Sequence, residues 1–371
     1  MKHLLLLGGG HAHVHVLRAL ADEALPGVRA TLVSPFTRQM YSGMVPGLVA
    51  GHYAVDDCAI PLQPLAAAAQ ADFIESSLVR LDSGARQATL ASGQVLSYDT
   101  LSIDTGPVMD RDAIPGARAH GLFVRPIEHF TGMWDQLLAL AEQRSLSVAV
   151  IGGGAAGVEL ALAMQYRLGE RARVSLVTGG PAPLSTYPMP VQARVRNALR
   201  RLGVTVLEDS CTQISAQHLL LARGTRLQCD APILAIGSSA PAWAATSGLA
   251  LDAQGFIATG MTLQSTSHAE VFAAGDVATN AALNHPKSGV FAVRAGPPLA
   301  LNLRRYLGGG ELLPHRPPLR SLNLLACGNR SAIASWGHWS AEGMWAWYWK
   351  NHIDRKFIAR YQTIGAAIRA A

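Results

Sequence analysis

Two stretches of the chain share one pattern of apolar and polar positions. Residues 2–7 form an apolar run that breaks into three glycines and then into a helical pattern through Leu20. Residues 147–151 form a second apolar run, followed by another glycine turn and a helical pattern over residues 158–168. Short apolar runs bounded by glycine are typical of buried strands, and their alternation with helices predicts βαβ units with a parallel sheet.

Both glycine turns match the dinucleotide-binding fingerprint GxGxxG in its context of strand, turn and helix. Gly8 and Gly152 are expected to make the tight turns. Gly10 and Gly154 are expected to let the backbone approach a pyrophosphate, which the N–H groups of the helix N-terminus would bind. Two copies are far more specific than one, so we predict an α/β fold with two doubly wound, Rossmann-like domains.

The two copies differ where the fingerprint ends. The second copy is complete at Gly157, whereas His13 replaces the third glycine of the first, so that its imidazole needs a packing niche or its helix lies farther from the strand. The acidic residue that would bind a ribose 2′-OH is missing from both, since the second strands end in Ser34 and Thr178. A hydroxyl binds ribose more weakly, and nothing repels a 2′-phosphate, so NADH and NADPH both stay open.

Composition agrees with this fold and excludes other classes. The 371 residues are enough for two domains, and 49% apolar residues with 36 glycines suit buried parallel sheets. The net charge of +6 suits nucleotide binding or a membrane surface, because no basic run or nucleic-acid module is present. The longest apolar stretch, residues 148–164, is interrupted by Glu159, so we expect no membrane-spanning segment. The short apolar start predicts no secretion signal and hence a cytoplasmic protein.

The four cysteines are far apart in the sequence. Cys58, Cys211, Cys229 and Cys327 include no CxxC or CxxxxC pair. We therefore expect four unrelated thiols and neither a redox disulfide nor a zinc site.

Three further segments carry a family resemblance. Residues 97–106 and 231–237 are apolar strands that end in small residues, and residues 270–277 deliver Asp276 from a strand. Together they resemble the pyridine nucleotide-disulfide oxidoreductase superfamily over essentially the whole chain. The resemblance implies non-covalent FAD, with Asp276 binding its ribityl chain, and NAD(P)H as co-substrate. The residues expected to bind these cofactors are Gly8, Gly10, His11, His13, Ser34, Thr105, Gly106, Gly275 and Asp276 for FAD, and Gly152, Gly154, Gly157, Thr178 and Gly237 for NAD(P)H.

Within that superfamily, residues 41–47 and 286–294 look like flavoproteins akin to type II NADH dehydrogenases, a subfamily sometimes fused to selenide, water dikinase. The chain departs from the disulfide reductases, because the cysteine pair is absent. It also departs from the sulfide:quinone reductases, because their catalytic cysteines have no counterparts among the four cysteines of this chain. The resemblance implies a nicotinamide domain inserted into the FAD domain. The expected boundaries are 1–118 and 254–328 for the FAD domain, 119–253 for the NAD(P) domain and 329–371 for a C-terminal helical tail.

Three residues are expected to be catalytic. Lys287 precedes a helical pattern that by resemblance reaches the flavin, where a lysine or a helix N-terminus would stabilise the reduced ring. The alternative interpretation is that Lys287 is a solvated lysine at a helix start. Glu159 would face the nicotinamide by resemblance, or is an ordinary favourable charge near a helix N-terminus. Pro46 belongs to the segment 41–47 that carries the subfamily resemblance.

His11, His13 and His15 form an HxHxH pattern at the first glycine turn. Only His11 and His15 share a helix face, and a metal there would collide with the pyrophosphate. We expect packing or a phosphate contact and no metal site.

The tail combines aromatic and basic residues. Trp345, Trp347, Tyr348 and Trp349 precede Lys350 and Arg355, with Lys356 and Arg360 beyond them. An apolar arc on the following helix comprises Ile353, Phe357, Tyr361, Ile364 and Ile368. A peripheral membrane contact on the inner face is one prediction. A helix that caps the core or forms a homodimer is the alternative.

These features predict an FAD-dependent oxidoreductase that passes electrons from NAD(P)H to a quinone or another small acceptor. Two alternatives stay open. One is a flavoenzyme of sulfur or selenium metabolism, and the other is an FAD-binding module without NAD(P)H activity, which the glycines after Thr178 favour. Neither nucleic acid nor a metal is expected as a partner.

Overall fold

A computed structural model describes residues 1–280, 287–316 and 321–369, with the side chains of the last helix described as far as Gln362. Its helices are α1 (His11–Asp22), α2 (Val45–Val49), α3 (Leu62–Ala68), α4 (Ala117–His120), α5 (Ile127–Gln143), α6 (Ala155–Leu168), α7 (Met189–Leu202), α8 (Gly289–Leu307) and α9 (Met344–Arg369).

The strands fall into three stretches of chain. The first holds β1 (Lys2–Leu7), β2 (Val28–Ser34), β3 (Arg38–Met40), β4 (Ala59–Pro61), β5 (Ala71–Glu75), β6 (Leu78–Asp82), β7 (Gln87–Leu90), β8 (Val95–Ser97) and β9 (Thr100–Ile103). The second holds β10 (Leu122–Phe123), β11 (Leu146–Ile151), β12 (Ala172–Val177), β13 (Thr205–Leu207), β14 (Cys211–Ile214), β15 (His218–Leu221), β16 (Arg226–Gln228) and β17 (Ala231–Leu234). The third holds β18 (Ile257–Thr259), β19 (Val271–Ala273), β20 (Ala278–Asn280), β21 (Asn323–Ala326), β22 (Ala332–Trp336) and β23 (Trp339–Gly343).

Two five-stranded parallel sheets organise the molecule, as the sequence predicted. The first has the order β19-β9-β1-β2-β5, and the second has the order β10-β17-β11-β12-β13. The glycine-terminated strands β1 and β11 lie at the centre of their sheets, where every residue of the run Leu4–Leu7 is fully buried. Burial on both faces explains why these runs are continuously apolar.

The first sheet is discontinuous in sequence, because β19 returns from beyond the second sheet to pair with β9. The second domain is therefore inserted into the first. The exact domain boundaries at residues 118, 254 and 328 stay predictions. Leu325 and Cys327, which the predicted FAD domain includes, lie in the hydrophobic core of the second domain.

The C-terminal segment contacts both domains. The antiparallel sheet β21-β22-β23 packs against α6 and α7 of the inserted domain, while α9 packs on α1 and α3 of the first. Phe357 and Tyr361 of the predicted apolar arc are buried in the first domain's core. Ile353 is exposed, and the side chains of Ile364 and Ile368 lie outside the described part. Phe357 and Tyr361 thus cap the core, which agrees with one of the two predicted alternatives for this helix.

Candidate functional site

A cavity of about 470 Å³ opens at the carboxyl ends of β1, β2 and β9. Ligands bind at this edge in doubly wound sheets, and cavities of about 300–1,000 Å³ hold small molecules and cofactors. The predicted residues that line it are Gly8, Gly10, His11, Ser34, Thr105, Gly106 and Asp276. Two predicted FAD residues, His13 and Gly275, are not among its lining residues.

The first glycine turn is held against the loop after β9. Gly8 has a φ of +93°, and an added Cβ would lie 2.4 Å from the carbonyl oxygen of Asp104. A Cβ on Gly10 would lie 2.3 Å from the Asp104 carboxyl carbon. Both glycines are thus required by the protein's own packing, and at Gly10 the neighbour is a side chain that the sequence did not single out.

Asp104 caps the first turn of α1. Its Oδ2 accepts the N–H groups of Ala12 at 2.7 Å and His13 at 3.0 Å, and the residue is 2% exposed. Burial raises the pKa of the Asp104 carboxyl to about 7, because desolvation outweighs the two amide hydrogen bonds and Asp276 adds repulsion.

His13 fills the place of the third glycine with a polar contact of its own. Its Nδ1 donates to the carbonyl oxygen of Gly8 at 2.6 Å, and its Nε2 lies 2.8 Å from the hydroxyl of Ser102. Burial lowers the pKa of His13 to about 4, so the ring is neutral and Nε2 accepts the Ser102 hydrogen. The imidazole occupies a packing niche, which is one of the two arrangements that the sequence left open. Its predicted cofactor contact has no support from its position.

His11 and His15 also have protein partners. The ring of His11 lines the cavity and lies against Tyr41 and Phe357. Burial, reinforced by the charge of Arg125, lowers its pKa to about 4. His15 Nδ1 lies 3.2 Å from the Tyr361 hydroxyl. Within the described ranges, no group of three or more His, Cys, Asp or Glu side chains is placed to bind a metal.

The hydroxyls predicted to bind ribose or the adjoining phosphate are engaged locally. Ser34 Oγ donates to the carbonyl of Phe36 at 3.0 Å, which closes a turn at the cavity wall. Thr105 is exposed at the cavity mouth, where its hydroxyl lies 3.3 Å from the carbonyl of Gly106. Both lie at the cavity, but only Thr105 is open to solvent.

The far wall of the cavity carries charges from both domains. Asp276 lines it and lies 3.6 Å from the guanidinium of Arg125, which belongs to the segment before α5. Glu128, in the first turn of α5, also lines it and accepts the N–H of Met40 at 3.2 Å. Arg125 and Glu128 were missed, because a proline-initiated helix with an early glutamate is an ordinary helix start.

Lys287 does not line this cavity. Its ammonium donates to the carbonyl of Ala278 at 2.9 Å and lies 3.6 Å from the centre of the Phe256 ring. Desolvation lowers the pKa of Lys287, although Asp276 acts in the opposite direction. The residues of this segment that reach the cavity are Gly289 and Ala292, so the start of α8 occupies the place expected for the lysine. Pro286 lies outside the described residues.

The second glycine turn is open toward solvent. Gly152 has a φ of +130°, and a Cβ there would lie 2.2 Å from the carbonyl of Ala235. A Cβ on Gly157 would lie 1.9 Å from the carbonyl of Gly152, so the third glycine serves close packing of helix on strand. Gly154 is exposed, has extended backbone and would have no neighbour within 4 Å of its Cβ.

The remaining predicted residues of the second site flank this turn. Thr178 is buried, and its hydroxyl donates to the carbonyl of Gly180 at 2.5 Å. Gly237, after β17, is exposed with no neighbour within 4 Å of an added Cβ. The hydroxyl of Thr178 is therefore engaged, whereas Gly237 leaves open space.

Glu159 lies in a cluster of ionisable groups between α6 and α9. Its Oε1 accepts the N–H of Ala326 at 2.7 Å. Burial raises the pKa of Glu159 to about 7, with Lys350 opposing the shift. Lys350 donates to Asp354 at 2.7 Å and to the carbonyl of Gly43 at 2.5 Å. Lys350 therefore faces inward, contrary to the expectation that it contributes to a basic membrane surface.

Pro46 is buried at the start of α2, and α2 packs on α6. This contact places the subfamily motif against the helix that carries Glu159. Pro46 is not among the lining residues of the large cavity.

The exposed aromatic residues gather near the start of α9. We call Trp336, Trp339, Trp345 and Trp349 the tryptophan patch; each is 43–53% exposed. Trp336 and Trp339 pair across β22 and β23, and the Trp345 ring lies 6.3 Å from Trp339 and 6.2 Å from Trp349. No helix in the described ranges combines the length and apolarity needed to cross the bilayer.

The residues around the large cavity fit FAD. Among the described residues, the N–H groups of Gly9 and His11 have no acceptor and belong to the cavity lining, as a bound pyrophosphate requires. The first glycine turn, the start of α8 and Asp276 surround the same space. This cavity and the exposed second turn define a flavoprotein oxidoreductase with two dinucleotide sites.

Comparison with known proteins gives the family. The model of the pyridine nucleotide-disulphide oxidoreductases matches residues 2–296, and the chain belongs to this family of FAD-dependent oxidoreductases. The demethylphylloquinone reductase NdbB of Synechocystis is 25% identical over 347 residues, which cover 89% of this chain and 85% of that protein. An NADH dehydrogenase-like protein of Mycobacterium tuberculosis is 26% identical over 269 residues, which cover 68% and 65%.

Solved structures support the fold. NDH2 of Plasmodium falciparum, in complex with NADH, superposes with a TM-score of 0.79 at 13% identity and covers 99% of this chain and 97% of its own. The sulfide:quinone oxidoreductase of Aquifex aeolicus superposes with a TM-score of 0.82 at 19% identity, covering 98% and 92%.

Proposed function

We propose that this chain takes a hydride from NAD(P)H at the second glycine turn and passes two electrons, through FAD in the large cavity, to a quinone. The observation that carries the proposal is the pair of glycine turns: the first opens into the cavity, and the second presents Gly154 to solvent without an obstructing atom. Bound FAD supplies the redox chemistry, so no side-chain nucleophile is required.

A small acceptor is favoured by the state of the cysteines. Cys58, Cys229 and Cys327 are buried free thiols, and desolvation raises the pKa of each to about 12. Such thiols are protonated and unreactive at neutral pH. A quinone is supported by the names of the relatives, which include demethylphylloquinone reductase and NADH-ubiquinone oxidoreductase.

Glu159 is proposed as the source of a proton for the acceptor. A hydride brings two electrons and one proton, whereas reduction of a quinone to a quinol takes two of each, so one further proton is needed. Glu159 holds a proton near neutral pH, because burial raises its pKa to about 7. Its Oε1 is occupied by the N–H of Ala326, so Oε2 is the atom that would carry the proton.

Lys287 and Pro46 are proposed to act through their neighbours. The Lys287 ammonium is attracted to the Asp276 carboxylate and would help to hold it at the cavity wall. Pro46 fixes the start of α2 against α6 and hence the position of Glu159. Both are positioning residues in this proposal.

The tryptophan patch is proposed to contact an anionic membrane surface, from which a lipid-soluble quinone is drawn. Tryptophan is enriched at membrane interfaces, and the net charge of +6 favours acidic lipids. Lys356 and Arg360 are exposed on the same helix. A homodimer contact through the patch is the competing proposal.

The test is a stopped-flow experiment on the yellow holoprotein. We expect NADH or NADPH to bleach the flavin, and a quinone to restore the colour faster than an oxidised sulfur or selenium compound does. Denaturation should release the flavin, since no covalent attachment motif is evident. The released flavin should be FAD and not FMN. Failure of both nucleotides to bleach the flavin would favour an FAD-binding module, and turnover with sulfur compounds alone would overturn the quinone assignment.

A further inference from the structure

The two glycine turns differ in the residue that follows the neighbouring strand. Asp104 follows β9, and Ala235 follows β17. A Cβ added to Gly8 would lie 2.4 Å from the carbonyl oxygen of Asp104, and a Cβ added to the equivalent Gly152 would lie 2.2 Å from the carbonyl oxygen of Ala235. The two residues therefore hold the same place in the two domains. Only the FAD domain has a carboxyl group there.

The Asp104 carboxyl borders the large cavity, at the first glycine turn. Its Oδ2 is engaged by two amides of α1, and Asp104 belongs to the cavity lining. Its Oδ1 lies 2.4 Å from an added Cβ on Gly10 and 2.5 Å from one on Gly275. Within the described ranges, no hydrogen bond to Oδ1 is formed, so this atom is open to a ligand in the cavity.

We propose that Asp104 binds FAD as a neutral carboxylic acid, donating its proton from Oδ1 to the pyrophosphate, so that FAD and one proton bind together. The proposal rests on FAD as the occupant of the cavity. An ionised carboxylate beside a pyrophosphate would repel it, and two of the α1 amides that could have bound a phosphate oxygen, those of Ala12 and His13, are already used by Oδ2. A neutral acid removes the repulsion and replaces the lost donor.

The surrounding charges favour the neutral acid. Asp276, from the loop after β19, repels a second negative charge at Asp104. Arg125 pairs with Asp276, and the ring of His11 is neutral. His13, on α1, is neutral as well and gives Asp104 only its backbone N–H. Burial raises the pKa of the Asp104 carboxyl to about 7 before FAD is considered.

The direction of the linkage follows from these groups. A ligand that requires the protonated acid binds fully below the pKa of the free site and more weakly above it. The dissociation constant of FAD should therefore rise about tenfold per pH unit above about pH 7. No such dependence is expected of an amide or a methyl group at this position.

The experiment measures FAD retention, not activity. Holoprotein is brought to dialysis equilibrium at several pH values between about 6 and 9, and released FAD is measured by fluorescence. Asp104→Asn, which keeps a neutral donor, should retain FAD with no pH slope. Asp104→Ala, which copies Ala235, should bind FAD more weakly at low pH and also without a slope.

Two results would overturn the proposal: pH-independent retention by the wild-type protein, or the same slope in Asp104→Asn. If that variant does not fold, proton uptake on rebinding FAD to the wild-type protein at about pH 8 decides, since one proton per FAD is expected and none would exclude the linkage. Absence of FAD at every pH would instead refute the cofactor assignment itself, so the two failures are distinguishable.

Discussion

Gly10 and Gly154 hold equivalent positions in the two glycine turns, yet a Cβ would collide with Asp104 at Gly10 and would meet nothing within 4 Å at Gly154. The glycine at this position of the fingerprint is therefore needed for a different reason in each of the two turns. At Gly10 the protein itself excludes a side chain, whereas at Gly154 only a bound nucleotide would.

Gly154→Val tests the second site, because the extended backbone at Gly154 accepts any residue and the fold should survive. We expect unchanged FAD content and the loss of flavin bleaching by NAD(P)H, since the side chain fills the space of the pyrophosphate. Absorbance of bound flavin and stopped-flow bleaching measure the two effects. Gly152→Val is the contrasting variant, which should misfold against the carbonyl of Ala235; an unchanged bleaching rate in Gly154→Val would contradict the assignment.

Glu159→Gln tests the proton source. The wild-type enzyme should lose quinone turnover as the pH rises through about 7, because the acid must be protonated to donate. The variant should lack this dependence and turn over about a hundredfold more slowly, with flavin bleaching changed little. Glu170→Gln, an exposed carboxylate beyond the end of the same helix, is the control. A wild-type pH profile preserved in Glu159→Gln would exclude the role.

The tryptophan patch is best tested without truncation, since α9 contributes Phe357 and Tyr361 to the core. Replacing Trp339, Trp345 and Trp349 by Gln should weaken sedimentation with anionic liposomes while bleaching by NAD(P)H stays intact. Binding of the wild-type protein should weaken as salt rises. Val79→Gln, an exposed apolar residue on β6, serves as the control. A wild-type protein that ignores liposomes and forms a dimer would favour the competing proposal.

Thiol chemistry should be dispensable. A variant with all four cysteines replaced by Ala or Ser should keep bleaching and quinone turnover within a few-fold of the wild-type values, with some loss of stability from the buried positions. Loss of turnover in a folded, flavin-loaded variant would show that a thiol takes part.

Sequence reasoning gave the strands β1 and β11 to the residue or nearly so, because a continuous apolar run that ends in glycine has few other structures. It also gave the order of the two domains. The Lys287 side chain could not be placed, because its direction depends on Phe256 and Ala278, whose proximity is a tertiary fact.

Asp104 was hidden for a different reason. The sequence shows it as one polar residue at the end of an apolar strand, and its correspondence to Ala235 is visible in the contacts of Gly8 and Gly152. The partnership of His13 with Ser102 was hidden in the same way. Comparing the two halves of the chain position by position would have pointed to both.

The path of the C-terminal segment has a mechanical consequence. Glu342 of β23 pairs with Arg201 on the inserted domain, and Arg194 donates to Ser340. Further along the same segment, Asn351 of α9 accepts the hydroxyl of Tyr53 in the first domain. These contacts connect the two nucleotide domains, in addition to the two points at which the chain passes from one domain to the other. A hinge motion between the two domains would have to break these contacts as well as bend the chain at both crossings.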